Sequence, residues 1–242
     1  MIIVTRPSPF GEELVQKCKN AGLEAIHCPF FKIMPTPNTV SKIQNALNQL
    51  TKQDIVIITS PQIPTILATQ NIKMHFPSQL NYYAIGQQSA EKFEQLTNLP
   101  IQFAKENESS ETLFQLIYKQ TPQKALILTG DVNRPYLKQT LTEHGWNVNR
   151  LTCYYRELIS YPQFYPTEND KNLTIVITSV EHLLQLDKYS NKSHKEHNKL
   201  IVSHERIKSC AQDLGWQKIY LTNSANNQIL FKTIASLCHN AR

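Results

Sequence analysis

Seven short stretches set hydroxyl, amide, glycine or guanidinium groups directly behind oily, β-branched or aromatic runs. They are VTRP (Val4 to Pro7), ITSPQ (Ile58 to Gln62), AIGQQSA (Ala84 to Ala90), LTGDVNR (Leu128 to Arg134), CYYRE (Cys153 to Glu157), ITSVE (Ile177 to Glu181) and SHERI (Ser203 to Ile207). Where such a run is a parallel strand, its C-terminal end meets loops and helix N-termini whose unpaired N–H groups hold anions. The chemistry on offer is recognition of negative charge by many small donors. DIVIITS (Asp54 to Ser60) and LTIVITS (Leu173 to Ser179) repeat one pattern, a strand ending in Thr-Ser, once in each half of the chain. The repetition reads as two jaws around one polyanionic substrate.

Each Thr-Ser pair also has an ordinary role as a helix N-cap, and Gly86 an ordinary role as turn punctuation beside its capacity for close backbone approach. LTGDVNR lacks the glycines of a dinucleotide fingerprint and the lysine of a P-loop, so nucleotide-phosphate binding is not supported. Only His194 and His197, in HKEH, approach metal-ligand spacing, and they lack a third ligand nearby; they read as surface histidines, and no metal is expected. Neither a GxSxG elbow nor a Cys/His signature offers a covalent nucleophile. Tyr154 and Tyr155 stand apart because the chain is expected to leave one domain for the other there, although a core or interface tyrosine is their alternative role.

These groups need a scaffold, and the pattern of the chain supplies one. Short apolar runs alternate with amphipathic stretches along almost the whole length, which predicts an α/β protein with parallel sheets flanked by helices. In the first repeat, MIIVT predicts a strand, Ser8 an N-cap, Pro9 the first helical residue and Gly22 the stop. PTPNT, at residues 35–39, breaks the pattern, and so does the segment from Ile159 to Lys171. The part after the second break has about three strands of its own, too few for a covered sheet, and the part before the first break has two to spare. Joining them predicts a discontinuous domain of residues 1–35 and 160–242 and a continuous one of residues 36–159. A two-stranded β linker, near 34–38 and 153–160, would connect them. The stretch DKYSNKSHKEHNK (Asp187 to Lys199) reads as a solvated loop.

Bulk composition narrows the partners. The chain has 242 residues, 40% of them hydrophobic, and a net charge of +6. Its lysines and arginines are scattered, so the excess suits an acidic small molecule and not a nucleic acid. Five cysteines without a CxxC pair predict reduced thiols in the cytoplasm, and the absence of a run of about 18 apolar residues argues against a membrane span.

Taken in order, IIVTRPSPFGEELVQKCKNAG, ITSPQ, YYAIGQQSAEKF, ESSETLFQL, ALILTGDVNRPYLKQTLTEHGWNV, CYYRE, IVITSVEHLLQL and IVSHERIKSCAQDLGW make the chain resemble the uroporphyrinogen-III synthase family from end to end. The resemblance implies two α/β domains, a discontinuous first domain and a double linker. It also implies a cofactor-free, monomeric lyase that cyclises and dehydrates hydroxymethylbilane, inverting the last ring through a spiro intermediate. By the same resemblance Tyr154 would assist departure of the hydroxyl, with Tyr155 as a one-residue alternative. Thr5, Ser60, Gly86, Gln87, Gln88, Ser89, Thr178 and Ser179 match ligand-facing loops. Arg6 and Arg134 match arginines that would pair with carboxylates or else serve as structural ion-pair residues. Two positions depart from the family pattern: SHERI offers Glu205, Arg206 and Ile207 where hydroxyls are frequent, and Thr129 replaces a frequent basic residue. Whether the chain meets the enzyme that makes the substrate, hydroxymethylbilane synthase, is left open.

Overall fold

A computed structural model of the chain describes residues 1–70, 74–105, 108–121, 123–132, 135–165 and 172–239. In chain order its elements are β1 (Ile2–Val4), α1 (Phe10–Asn20), β2 (Ala25–His27), β3 (Phe31–Pro35), α2 (Thr39–Leu47), β4 (Ile55–Ile58), α3 (Gln62–Thr69), β5 (Asn81–Ala84), α4 (Gln87–Thr97), β6 (Gln102–Phe103), α5 (Ser110–Ile117), β7 (Lys124–Gly130), α6 (Tyr136–Glu143) and β8 (Asn147–Leu158). There follow β9 (Thr174–Ile177), α7 (Val180–Tyr189), α8 (Lys192–His197), β10 (Lys199–Val202), α9 (Glu205–Asp213), β11 (Lys218–Leu221) and α10 (Asn227–His239). None of the described helices is long and apolar enough to cross a membrane.

The chain divides into two compact units, Met1–Lys32 with Glu157–Arg242, and Ile33–Arg156. Both crossings fall a few residues before the positions expected from the proline breaks. They lie within β3 and β8, which are neighbours at one edge of the second unit's sheet.

The first unit holds a parallel sheet in the order β11-β10-β9-β1-β2. Its inner strands are apolar on both faces, because each face is covered. Ile2, Val4, Val176 and Ile201 meet Leu14, Leu230 and Ile234 from α1 and α10. Ile3, Ile175, Ile177 and Leu200 meet Leu183, Leu186 and Ile207 from α7 and α9. This double cover is why TIVI and LIVS read as continuous β-branched runs and not as alternating ones. At α1 the expected cap moves by one residue: Pro9 is the N-cap, and the Ser8 hydroxyl donates to Glu12 Oε1 at 2.9 Å. Gly22, at φ 73°, ends the helix as expected.

One stretch of this unit differs from expectation. Within Asp187 to Lys199, α7 runs on to Tyr189 and α8 forms, its start closed by Asn191, whose side chain accepts from His194 N while Asn191 N donates to His194 Nδ1. His194 is buried against the Tyr165 ring, with centroids 3.8 Å apart, so it is not a surface histidine. A polar helix of six residues leaves no apolar period to read; its order comes from a cap, a long-range stack and polar contacts such as Lys195 Nζ to Asp187 Oδ1 and to Leu214 O.

The second unit's sheet runs β3-β8-β7-β4-β5-β6, with the pairs from β8 to β6 parallel. Val56, Ile58, Leu126 and Leu128 pack against Ile43, Ile63 and Phe93 of α2, α3 and α4. On the other face Ile55, Ile57 and Ile127 pack against Leu113, Phe114, Leu137 and Leu141 of α5 and α6. At the N-terminal end of β4, Asp54 is buried and accepts from Thr51 N at 2.6 Å, Thr51 Oγ1 at 3.0 Å and Lys124 N at 2.9 Å. It satisfies two backbone donors, one of them on the neighbouring strand. Asp54→Ala strands these donors, and the urea transition of this unit is expected to lose about 2–4 kcal/mol, with a smaller loss for Asp54→Asn.

Candidate functional site

At the C-terminal ends of the second unit's strands, β7 and β8 pair evenly from Lys124 opposite Asn147 to Thr129 opposite Thr152, and then Gly130 faces Tyr154. β8 therefore carries one extra residue, Cys153. Side chains normally alternate across a strand, and the bulge breaks the alternation, so that Cys153 and Tyr154 are both buried. Tyr155 turns outward: it is 41% exposed, against 7% for Tyr154. The bulge thus sets which of the two candidates named from the sequence turns inward.

The Tyr154 ring lies on the bare face of Gly130. A Cβ at that glycine would stand 2.5 Å from Tyr154 Cζ and 2.7 Å from its hydroxyl oxygen. The Ser60 side chain neighbours the hydroxyl and helps to hold its pKa down; Ser60 Oγ itself accepts from Gln62 N at 3.2 Å and is so oriented by the first turn of α3. Burial pushes the Tyr154 phenol above its ordinary value; the polar Ser60 side chain and the Arg156 charge pull against that, while Asp131 and Cys153 push with it.

Asp131 and Arg156 bracket the tyrosine from the backbone side. Asp131 N donates to Tyr154 O at 2.9 Å, and Arg156 N donates to Asp131 Oδ2 at 2.9 Å. The Arg156 guanidinium adds bonds from Nε to Asp131 Oδ1 at 3.3 Å and from Nη2 to Val132 O at 2.7 Å. Burial works to raise the Asp131 carboxyl, but the N–H bonds from Arg156 and Val132, with the arginine's charge, hold it below its ordinary value. The pair clamps the chain on both sides of Tyr154.

Tyr154 and Ser60 form part of the wall of a cavity of about 190 Å³. Thr59, Ser110 and Thr129 bring further hydroxyl-bearing residues, Ile85, Ile127 and Leu137 an apolar floor, and Lys138 and Arg150 two cations. No carboxylate-bearing residue is among its described lining.

The other residues singled out from the sequence fall in different surroundings. Gly86 is the N-cap of α4 and Gln87 its first residue, but the chain's own Glu108 already sits there, accepting from Gln87 N at 3.2 Å and lying where any Cβ at Gly86 would collide with it. Gln88 is half-buried and Ser89 buried in the same turn. In the first unit Ser179 caps α7 by accepting from His182 N, and half-buried Thr178 accepts at its carbonyl from Ser203 Oγ. Thr5 is buried, its hydroxyl donating to Val176 O at 2.8 Å. Arg6 turns inward to Ala225 O at 2.8 Å and to Asn227 Oδ1. Desolvation lowers its pKa to about 10, against the pull of Glu13, and it remains a cation at neutral pH inside its own unit. Arg134 lies outside the described residues.

Sequence reasoning passed over Glu108, Lys138, Arg150 and the clamp of Asp131 with Arg156. The clamp joins two of the quoted stretches, LTGDVNR and CYYRE. Arg150 faces Ile127 across the β7–β8 ladder and Lys138 lies in the first turn of α6. Periodicity locates both, but only the pairing of β7 with β8 brings them to one cavity.

Comparison with known proteins gives a consistent result. A family model described as uroporphyrinogen-III synthase HemD matches residues 12–232. The uroporphyrinogen-III synthase of Escherichia coli K12 is 30% identical over 244 residues, covering 96% of this chain and 99% of that protein. The one from Proteus mirabilis is 35% identical over 164 residues, covering 66% and 82%. Among solved structures, a mutant uroporphyrinogen III synthase from Thermus thermophilus aligns with a TM-score of 0.63 at 14% identity, over 98% of both chains. A uroporphyrinogen-III synthetase from Helicobacter pylori aligns at 0.58 and 15%, also over 98% of both. These two show the shared fold.

Proposed function

Because the chain belongs to the uroporphyrinogen-III synthase family, an enzyme family of tetrapyrrole biosynthesis, we propose a residue-level account of how it turns hydroxymethylbilane into uroporphyrinogen III. Tyr154 hands a proton, or a hydrogen bond on its way to becoming one, to the hydroxyl of the terminal hydroxymethyl group. Water leaves and an azafulvenium cation remains, stabilised by its own pyrrole nitrogen. The far ring attacks through its already substituted α-carbon, the spiro intermediate fragments, and reclosure leaves that ring inverted. The proton lost as the last ring regains aromaticity restores the phenol.

The observation that carries this reading is a buried phenol beside Ser60, on the wall of a cavity whose described lining has no carboxylate. A phenol whose pKa burial has raised is a weak acid but a constant one, protonated throughout the neutral range. The substrate reacts unaided to a product without inversion, so the protein's main task is to hold the bilane in the geometry of the spiro route. Backbone N–H groups and hydroxyls at Ser60, Gly86, Gln87, Gln88 and Ser89, and at Thr178 and Ser179, are assigned to the carboxylates. Thr5 and Arg6 belong to the frame of the first unit. The account takes the enzyme as monomeric, cytoplasmic and free of cofactor and nucleic acid; the free state of all five cysteines is in keeping with a reducing compartment.

The test is direct. Freshly prepared hydroxymethylbilane is supplied, and the oxidised products are separated by isomer. Predominant type III is expected; exclusive type I overturns the reading.

A further inference from the structure

The cavity beside Tyr154 is too small for the whole substrate and is chemically suited to one piece of it. Sites for complete drug-sized ligands run to about 300–1,000 Å³, whereas this one holds about 190 Å³. Its floor is aliphatic, from Ile85, Ile127 and Leu137, which suits the face of a flat, electron-rich ring. Its two cations come from different elements, Lys138 from the first turn of α6 and Arg150 from β8. Among the described residues neither has a carboxylate partner: the Arg156–Asp131 pair involves neither, and neither is among the residues with a further interaction. A cavity with an apolar floor, two unspent positive charges and no acid in its described lining selects a small flat ligand that carries two anions.

We propose that this cavity seats a single pyrrole ring of the bilane, the terminal one that carries the hydroxymethyl group, with Lys138 and Arg150 taking its acetate and propionate. The inference rests on the reading of Tyr154 as the proton donor. Only the ring with the leaving hydroxyl has to lie against that phenol, so the ring beside Tyr154 is identified by the chemistry. Two carboxylates on one ring match two cations in one cavity. Arg150 offers a planar fork to one arm and Lys138 a point charge to the other. Seating one end of a flexible chain fixes where the reacting carbon lies, and the rest of the bilane then folds from a fixed origin.

The probe is porphobilinogen, a monopyrrole bearing one acetate and one propionate, used as a competitive inhibitor of the intact chain. It is expected to inhibit wild type, and its dimethyl ester is expected not to. In Lys138→Gln and Arg150→Gln, and more so in the double variant, its inhibition constant and the KM for hydroxymethylbilane rise together. Each charge removed costs on the order of tenfold, the usual loss for a charged hydrogen bond. Most of the loss appears in KM, with a smaller fall in kcat because the ring is held less firmly against Tyr154. Lys138→Arg and Arg150→Lys, which keep the charge, retain more affinity than the glutamine variants, which a collapse of the fold would not allow. Unchanged KM and inhibition constants in the double variant, or equal inhibition by the ester, overturn the proposal. Tyr154→Phe separates the two readings. Slow turnover with an unaltered porphobilinogen constant supports both, whereas full turnover in that variant overturns the acid assignment whatever the cations do.

Discussion

Tyr154→Phe is expected to lower kcat by roughly 10²–10⁴-fold, the span usual for a positioned proton donor, and to leave KM and the fold nearly unchanged. The substitution removes one oxygen and keeps the ring that packs on Gly130 and on the cluster of Ile58, Leu128 and Cys153. What disappears is one hydroxyl beside Ser60, a polar contact worth about 0.5–1.5 kcal/mol of stability at most. Substrate released by the slow variant closes unaided, so type I product accumulates beside a reduced flux of type III. Rate and isomer ratio are read from one chromatogram, and turnover near wild type would refute the assignment. The pH profile gives an independent reading. Burial lifts the phenol above its ordinary value, and Arg156, Asp131 and Cys153 are the ionisable groups acting on it. An acid works while it holds its proton. Wild-type kcat is therefore expected to persist as pH rises past about 10, the ordinary tyrosine value, and to fall only as pH passes the elevated one. The Phe variant lacks that fall.

Gly130→Ala is expected to damage catalysis by about 10² or more without touching an ionisable group, because displacement of a reacting group by about 1 Å costs that much. Gly130 is not one of the positive-φ glycines, which are Gly22, Gly145 and Gly215, so its backbone tolerates alanine. The conflict is one of space. The new methyl would lie 2.5 Å from Cζ of a ring that β8 holds in place, well inside the separation of about 3.5–4.0 Å at which carbons rest. The ring must tilt or the strands must part, and the strain lowers stability by about 1–3 kcal/mol. A double variant isolates the cause. Gly130→Ala with Tyr154→Phe should be little slower than Tyr154→Phe alone, because both act through one hydroxyl. Full activity in Gly130→Ala would show that the ring's place is immaterial.

How much of this was legible in the sequence depended on how local its cause is. IVII and TIVI announce strands buried on both faces because each residue must be apolar for its own reasons. Gly22, Gly145 and Gly215 mark helix ends because a left-handed residue is needed there. The choice between Tyr154 and Tyr155 was not legible, since it turns on one extra residue in β8, and a bulge exists only relative to the partner strand. The direction of Arg6 was equally hidden. Its partners Ala225 and Asn227 stand more than two hundred residues away, and an arginine after a strand looks the same whether it reaches for a ligand or for its own fold. Tyr165 and His194 meet by long-range stacking, which no period betrays.

Glu108 gives the opening turn of α4 a sitting tenant. A carboxylate arriving there swaps with another carboxylate, and the swap conserves both charge and hydrogen bonds. Lone acids of the cell gain nothing from eviction. Under the proposed assignment of Gly86 and Gln87 to the substrate's carboxylates, a molecule already moored by its other arms would bring its acid at high local concentration and carry out the exchange; this helix end would then discriminate by valency, favouring ligands with many acids over those with one.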